Sequence, residues 1–319
     1  KKSREYEIED VFRTYGVLTR EAGFYFYFSR KIRELRECGH EGTARAYASS
    51  LRSMQRYLGK KDFPFIKLSS RIISDYQGKL LASGICDNTI GFYLHNIKAL
   101  FRKGCREMGL ELPCPFRDIS IKTEKTLKRS LDPVVIKTLS AIELEKDSPL
   151  SLARDIFMFS FYTRGMSFVD IALLKKRHVF PGEICYRRHK TDQLMRVGIN
   201  KEISRILERY KNVPGEYIFP LFPAERDPYA GYRSAYHRIR YSLGKISRVI
   251  GLEFPLRLHA ARHSWATIAK VNGASVHVIG ECLGHTSEKT TRIYLKELDH
   301  SALDAVNNQV ADFILAVDD

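Results

Sequence analysis

Apolar residues recur at three- and four-residue spacing through AGFYFYFSRKIRELREC, TARAYASSLRSMQRYL and NTIGFYLHNIKALFRKGCREMGL, the period of amphipathic helices. These runs predict an all-helical region from Ala22 to Leu110. Thr43, Ser70 and Asn88 stand at the heads of such runs as candidate caps, because short polar side chains accept hydrogen bonds from the first free amides of a helix. The pattern breaks at LPCPFRDIS and gives way to IKTEKTLKRSL, which is polar, basic and aperiodic, the signature of a linker. Asp132 and Pro133 then read as a cap and a first helical residue. LSLARDIFMFSFYT predicts a strongly apolar helix, and GEICYRRHKTDQLMRVGIN alternates about a polar turn as a β-hairpin does. From Ile203 onward the spacing is helical again, and after His300 one stripe collects Leu303, Val306, Val310, Phe313, Ile314 and Val317. The predicted fold class is mainly α with a small β-sheet. No internal repeat is present, which excludes a solenoid.

A chain of 319 residues exceeds the usual single core. The breaks divide it into an N-terminal extension (1–20), a helical domain (21–118), a basic linker (119–131), a larger second domain (132–300) and a C-terminal helix or tail (301–319). Fifty-three Lys and Arg against 37 Asp and Glu leave a net charge of +16, and such an excess points to a polyanionic partner, foremost nucleic acid. On the helical domain Arg45, Arg52, Arg56, Lys98, Arg102 and Lys103 interleave with Tyr47, Tyr57 and Tyr93; Lys122, Lys125, Lys128 and Arg129 extend the charge along the linker. The six cysteines are dispersed without a C-x-x-C pair, which argues against a zinc knuckle or a disulfide framework and fits a reducing cytosol. No apolar run reaches the roughly 18 to 20 residues of a membrane span, so the expected location is cytoplasmic, with the DNA.

Three motifs near the carboxyl end carry candidate chemistry: His259-Ala-Ala-Arg262-His263, Leu283-Gly284-His285-Thr286 and Thr291-Arg292-Ile293-Tyr294. They combine a guanidinium, imidazoles and a phenol. His259 and Arg262, three apart, share one helix face and can address one phosphate. A phenol with a pKa near 10 is a poor nucleophile unless a base or nearby cations favour its phenolate. Tyr294 is one of 17 tyrosines, so only its company with the other two motifs singles it out.

H-x-x-R-H-S-W-A-T, L-G-H-T-S and T-x-x-Y in this order and spacing resemble the tyrosine recombinase (phage integrase) family, of the mobile-element integrase or invertase type. The likeness is strong over 130 to 300 and looser over the preceding helical segment. It implies an all-helical core-binding (SAM-like) domain joined to a mixed α/β catalytic domain. It further implies a site-specific recombinase of bacterial origin that acts on double-stranded DNA, as a dimer on each site and a tetramer in synapsis. By the same likeness His259, Arg262 and His285 surround the scissile phosphate. Tyr294 attacks it to leave a 3′-phosphotyrosyl link, and no ATP, metal or other cofactor is required. The family's hairpin lysine, the acid for the leaving 5′-oxygen, corresponds to Lys190, expected just before the turn; Arg187 and Arg188 lie close enough to be confused with it.

The family's first arginine sits in a T-G-L-R-x-S-E-like segment, and here that stretch reads Thr163-Arg164-Gly165-Met166-Ser167-Phe168-Val169-Asp170. Ser167 stands where the arginine belongs. Were the stretch helical, Arg164 would lie on nearly the same face one turn earlier and could substitute for it; otherwise an arginine from elsewhere reaches in, or the site works with one fewer. Asp170 is expected to orient its neighbours. Other readings are a DNA-binding architectural protein that has lost catalysis, or a type IB topoisomerase-like relaxing enzyme. A zinc site on His259 and His263 lacks the glutamate of H-E-x-x-H, and GMSFV lacks the second glycine of a nucleophile elbow. The tail stripe packs on its own domain or, as in the family, on a neighbouring protomer.

Overall fold

The helical spacing of the N-terminal part is realised as α1 (Phe24–Glu37), α2 (Glu41–Leu58), α3 (Ser70–Ala82) and α4 (Asp87–Glu107). The structure, a computed structural model, describes residues 23–121, 124, 130–222, 228–285, 287–295, 307 and 310, without the side chains of 228–230, 293 and 294. The extension over 1–20, linker residues Lys122, Lys125, Lys128 and Arg129, and the tail stripe apart from Val310 lie outside these residues; Val310 is exposed. The chain divides into two units, Lys1–Thr126 and Leu127–Asp319.

In the first unit an aromatic core forms because Phe24, Tyr27 and Phe28 recur at helical spacing and meet Phe65, whose ring lies 4.9 Å from that of Phe24 and 5.3 Å from that of Tyr27, both edge-on. Gly104 admits this contact: a Cβ there would lie 2.5 Å from the Phe65 ring. Lys31 is buried, and it is neutralised at 2.7 Å by both Glu34 and Glu107.

The expected caps fall elsewhere. Helix α2 starts at Glu41 with His40 as its cap residue, so Thr43 lies inside it. Ser69 rather than Ser70 accepts from the amide of Ile72 and caps α3. Helix α4 follows Cys86, and Asn88, already helical, instead accepts from the Glu124 amide at 3.0 Å and donates to the Glu124 carbonyl at 3.1 Å. A cap invisible in the sequence is Asp62, whose carboxylate accepts from the amides of Tyr25 and Phe26 at the head of α1, at 2.8 and 2.9 Å.

The second unit comprises α5 (Pro133–Ala141), α6 (Pro149–Tyr162), α7 (Phe168–Ala172), strands β1 (Val179–Phe180), β2 (Glu183–Arg187) and β3 (Leu194–Gly198), then α8 (Lys201–Arg209), α9 (Pro228–Val249), α10 (Leu258–Val271), α11 (Val276–Leu283) and α12 (Glu288–Tyr294). Asp132 and Pro133 occupy the predicted cap and first position of α5. Helix α6 is apolar nearly all round because it is central: α5, α7, α8, α9 and α10 all pack on it. The strands form one antiparallel sheet in the order β1-β2-β3, with Ile184 opposite Val197 and Tyr186 opposite Met195. These four are the buried positions of the alternation, as a sheet with one covered face requires.

One buried carboxylate organises the outer part of this unit. Asp155 on α6 accepts from Arg154 Nε at 2.7 Å, from Tyr210 Oη at 2.9 Å and from Arg209 Nη1. Opposite charges and a phenol here satisfy one another, and burial, then the adjacent carboxylate, raises the Tyr210 pKa.

Candidate active site

The site is built at the end of α6, where the chain must turn before α7. Thr163 ends the helix by donating its hydroxyl to Phe159 O at 2.6 Å. Arg164 and Gly165 then take φ values of 60° and 76°. Two consecutive left-handed residues reverse the chain, and the second must be glycine because a Cβ at Gly165 would lie 2.5 Å from Cγ of Arg262. The premise for Arg164 therefore fails: the chain is not helical from Thr163 to Ser167, and the Arg164 guanidinium is directed to the backbone of β3, where Nη1 donates to Arg196 O at 3.4 Å.

Opposite this turn stands α10, with His259 in its first turn and Arg262 one turn along, as the motif spacing predicts. Arg262 is only 5% exposed. Its Nη1 donates to Gly165 O at 2.8 Å, Nη2 donates to Leu283 O, and Nη2 also lies 3.1 Å from Nε2 of His285. A guanidinium has no acceptor, so Nε2 receives this bond and the imidazole proton resides on Nδ1. Nδ1 lies 3.0 Å from the hydroxyl of Thr291 and donates to it. This assignment requires a neutral ring, and burial, then Arg262, Arg188 and Lys190, push the His285 pKa down to about 4.

His259 lies at the exposed mouth of the cluster, its ring 5.1 Å from that of His263 and perpendicular to it. The protein packed around it, then Arg262 and Lys190, hold its pKa below the ordinary histidine value. Lys190 is exposed and belongs to the connection between β2 and β3, in the turn itself rather than before it. Its ammonium bears on both imidazoles.

Tyr294 is the last residue of α12; its side chain lies outside the described atoms. What holds its helix is clear. Thr291 is fully buried against Gly280 and His285, and Leu295, four residues on, is buried with Ala266, Ile279 and Leu283. A two-point anchor thus seats α12 on α10 and α11 with Tyr294 between the anchors.

Four positions eluded the sequence reading. Thr291 appears there only as a letter of the T-x-x-Y motif, without a role. Gly165 appears there only as a member of the quoted segment. Ser167 caps α7, and its hydroxyl donates to Asp170 Oδ2 at 2.6 Å, while Asp170 Oδ1 accepts from the amide of His189 at 2.8 Å. Arg188 donates through Nη1 to Gly284 O. Alternation along β2 was the available signal for Arg188: it separates Arg188 from Arg187, whose Nη1 instead donates to Asp192 O at 2.9 Å on the exposed side.

Each unit carries a basic cleft of its own. In the second unit His237, Arg240, Lys245 and Arg248 of α9 line one with Arg257, two residues before His259. In the first unit Arg52, Arg56, Tyr57 and Tyr93 line another, so four of the interleaved basic and aromatic residues share one surface, whereas Arg45 is engaged by Glu41 at 2.8 Å. Among the described residues no group of three His, Cys, Asp or Glu side chains could hold a metal ion, and no helix is long and apolar enough to cross a membrane.

Residues 130–300 match the phage integrase family, and residues 23–116 match the phage integrase SAM-like domain. The tyrosine recombinase XerC of Shewanella oneidensis is 26% identical over 226 residues, 68% of this chain and 70% of that protein. Among solved structures, a lambda integrase dimer bound to a COC′ core site superposes with a TM-score of 0.65 at 15% identity, over 93% of this chain and 84% of that one. A lambda integrase tetramer bound to a Holliday junction gives 0.61 at 14% identity, over 93% and 85%. The shared fold comprises a helical N-terminal domain and a mixed catalytic domain.

Proposed function

The chain belongs to the phage integrase family and is a site-specific tyrosine recombinase, and from that premise we propose that Tyr294 attacks a DNA backbone phosphate held by Arg262, His259 and His285. The observation that carries the assignment is the bond from His285 Nδ1 to Thr291, which ties an imidazole on Arg262 to the helix that ends in Tyr294. In the reaction the phenolic oxygen bonds to phosphorus and the bond from phosphorus to the 5′-oxygen breaks. A 3′-phosphotyrosyl ester and a 5′-hydroxyl result. The ester conserves the energy of the broken bond, so attack by another 5′-hydroxyl reseals the strand.

Negative charge gathers on the phosphoryl oxygens during transfer and is stabilised by fixed cations. Arg262 is fixed in this sense, with Gly165 and Leu283 holding its fork. His259 is the imidazole suited to take the phenol proton, since Nε2 of His285 is engaged by Arg262 and its basicity is far reduced. Lys190, in the hairpin turn, delivers a proton to the departing 5′-oxygen. Arg164 receives no part in this scheme, because its guanidinium is directed to β3.

The partner is double-stranded DNA. The clefts around Arg52 and Arg56 in one unit and Arg240 and Arg248 in the other offer cations to its backbone. Lambda integrase is seen on DNA as a dimer and as a tetramer; this chain is proposed to act likewise, as a dimer per site and a tetramer when two sites meet.

The test is covalent trapping. Wild-type protein incubated with a nicked duplex selected for binding is expected to yield a denaturation-resistant protein–DNA band that Tyr294→Phe does not form. An equal band from both proteins would remove Tyr294 from the role.

A further inference from the structure

A site that has exchanged an arginine for Ser167 must find that charge elsewhere or work without it. Ser167 has no reach of its own: its short side chain is spent on Asp170. Asp170 uses its other oxygen to accept from the amide of His189, the residue between Arg188 and Lys190. The hairpin connection is also closed on itself, with Arg188 N donating to Gln193 O and Asp192 N donating to Arg188 O, both at 2.8 Å. The segment that lacks the arginine thus clasps the turn that carries two other cations.

From that turn the Arg188 side chain reaches Gly284, ninety-six positions along the chain, and donates to its carbonyl. Arg262 donates to the preceding carbonyl, of Leu283, and the following residue is His285. Two guanidinium groups therefore converge on consecutive carbonyls beside the same imidazole. Gly284 makes room: it takes φ 62°, and a Cβ there would stand 3.3 Å from Arg188 Nη1 and 2.9 Å from the Met195 sulfur. The described bond uses one of the five N–H groups of Arg188, leaving donors for an anion placed between the two forks.

We propose that Arg188 supplies the second guanidinium on the scissile phosphate, replacing from the hairpin the arginine that family members carry where Ser167 stands. The assignment rests on the recombinase reading above. The two arginines share the charge that develops on the nonbridging oxygens, and the Ser167–Asp170–His189 clasp is the positioning element that fixes the turn. Electrostatics agree: Arg188 stands with Arg262 and Lys190 among the cations that depress His285.

Charge removal on the substrate tests the idea. The full chain and its variants are incubated with a nicked duplex enriched from a random pool by binding to the Tyr294→Phe protein. One version carries an ordinary scissile phosphate and another a methylphosphonate, which lacks one of the two nonbridging oxygens and the negative charge. Arg188→Ala is expected to slow adduct formation on phosphate by about 100- to 1000-fold, with less than fivefold change in binding. On methylphosphonate the loss should shrink to less than tenfold, since there is no charge left for Arg188 to meet. Arg188→Gln, which keeps an N–H for Gly284 O, should behave as Arg188→Ala, and Arg164→Ala and Arg187→Ala should stay within threefold of wild type.

Rates for Arg188→Ala and Arg188→Gln within threefold of wild type on phosphate would overturn the assignment. Equal losses on both substrates would do so too, because a purely structural role is indifferent to substrate charge. Adduct formed by Tyr294→Phe itself would instead refute the underlying reading, so the two failures are distinct.

Discussion

The second unit contains two arginine clusters that solve opposite problems. Around Asp155, Arg154 and Arg209 surround a buried carboxylate and Tyr210 closes the arrangement. Around His285, the guanidinium groups of Arg262 and Arg188 and the ammonium of Lys190 gather at an imidazole that is kept neutral. The first cluster is complete in the folded chain, so its free energy goes into holding α6 to α8. In the second, carbonyl dipoles orient like charges that repel one another, an arrangement whose natural complement is a phosphate. Arginines that look alike in composition are thus distinguished by what the backbone offers them.

The comparison can be broken most forcefully at Arg262. Arg262→Ala is expected to lower covalent adduct formation by about 1000-fold or more, the scale for losing a fixed transition-state donor; adduct at a tenth of the wild-type rate would show that the second cluster is not catalytic. Asp155→Ala should give the reverse pattern. Breaking a buried ion pair costs about 3–5 kcal/mol, read as a lower urea midpoint, while adduct formation below the melting transition stays within a few-fold of wild type.

A subtler change is Thr291→Val, which keeps the shape of the anchor and removes the acceptor of the Nδ1 proton. About tenfold slower adduct formation is expected, in line with the roughly 1 to 1.5 kcal/mol of one hydrogen bond, with unchanged DNA binding. Loss of binding instead would mean that Thr291 serves the fold alone. The last effect concerns pH. His285 is depressed to about 4 when folded, against an ordinary value near 6.5, so the unfolded chain takes up the proton first as pH falls. Its contribution to stability is present above about 6.5 and is lost progressively towards 4. Urea midpoints measured between pH 7 and 5 should fall less steeply for His285→Gln than for wild type; identical slopes would remove His285 from the account.

Much of the candidate site was legible because its residues sit in short motifs: His259 and Arg262 share a helix turn, and His285 and Tyr294 bracket another short helix. The predicted helix, hairpin and Asp132–Pro133 start followed from periodicity and local stereochemistry in the same way. What escaped depends on distance or on neighbours of equal rank. Ser69 and Ser70 are both good caps, and only the path of the chain chooses between them. Asn88 could cap, but Glu124, thirty-six residues away, uses both ends of its amide. Arg164 does not share a helix face with Ser167 because it and Gly165 form a left-handed turn that no helical spacing announces. Arg188 was passed over because the carbonyl that selects it from Arg187 belongs to Gly284, remote in sequence.

The bond between Thr291 and His285 makes proton placement and helix docking two readings of one equilibrium. Linkage is reciprocal: whatever favours the seated α12 favours the Nδ1–H form of the imidazole, and whatever stabilises that form helps seat the helix. Under the proposed mechanism, drawing α12 away removes Tyr294 and frees the Nδ1 proton of His285 in the same movement.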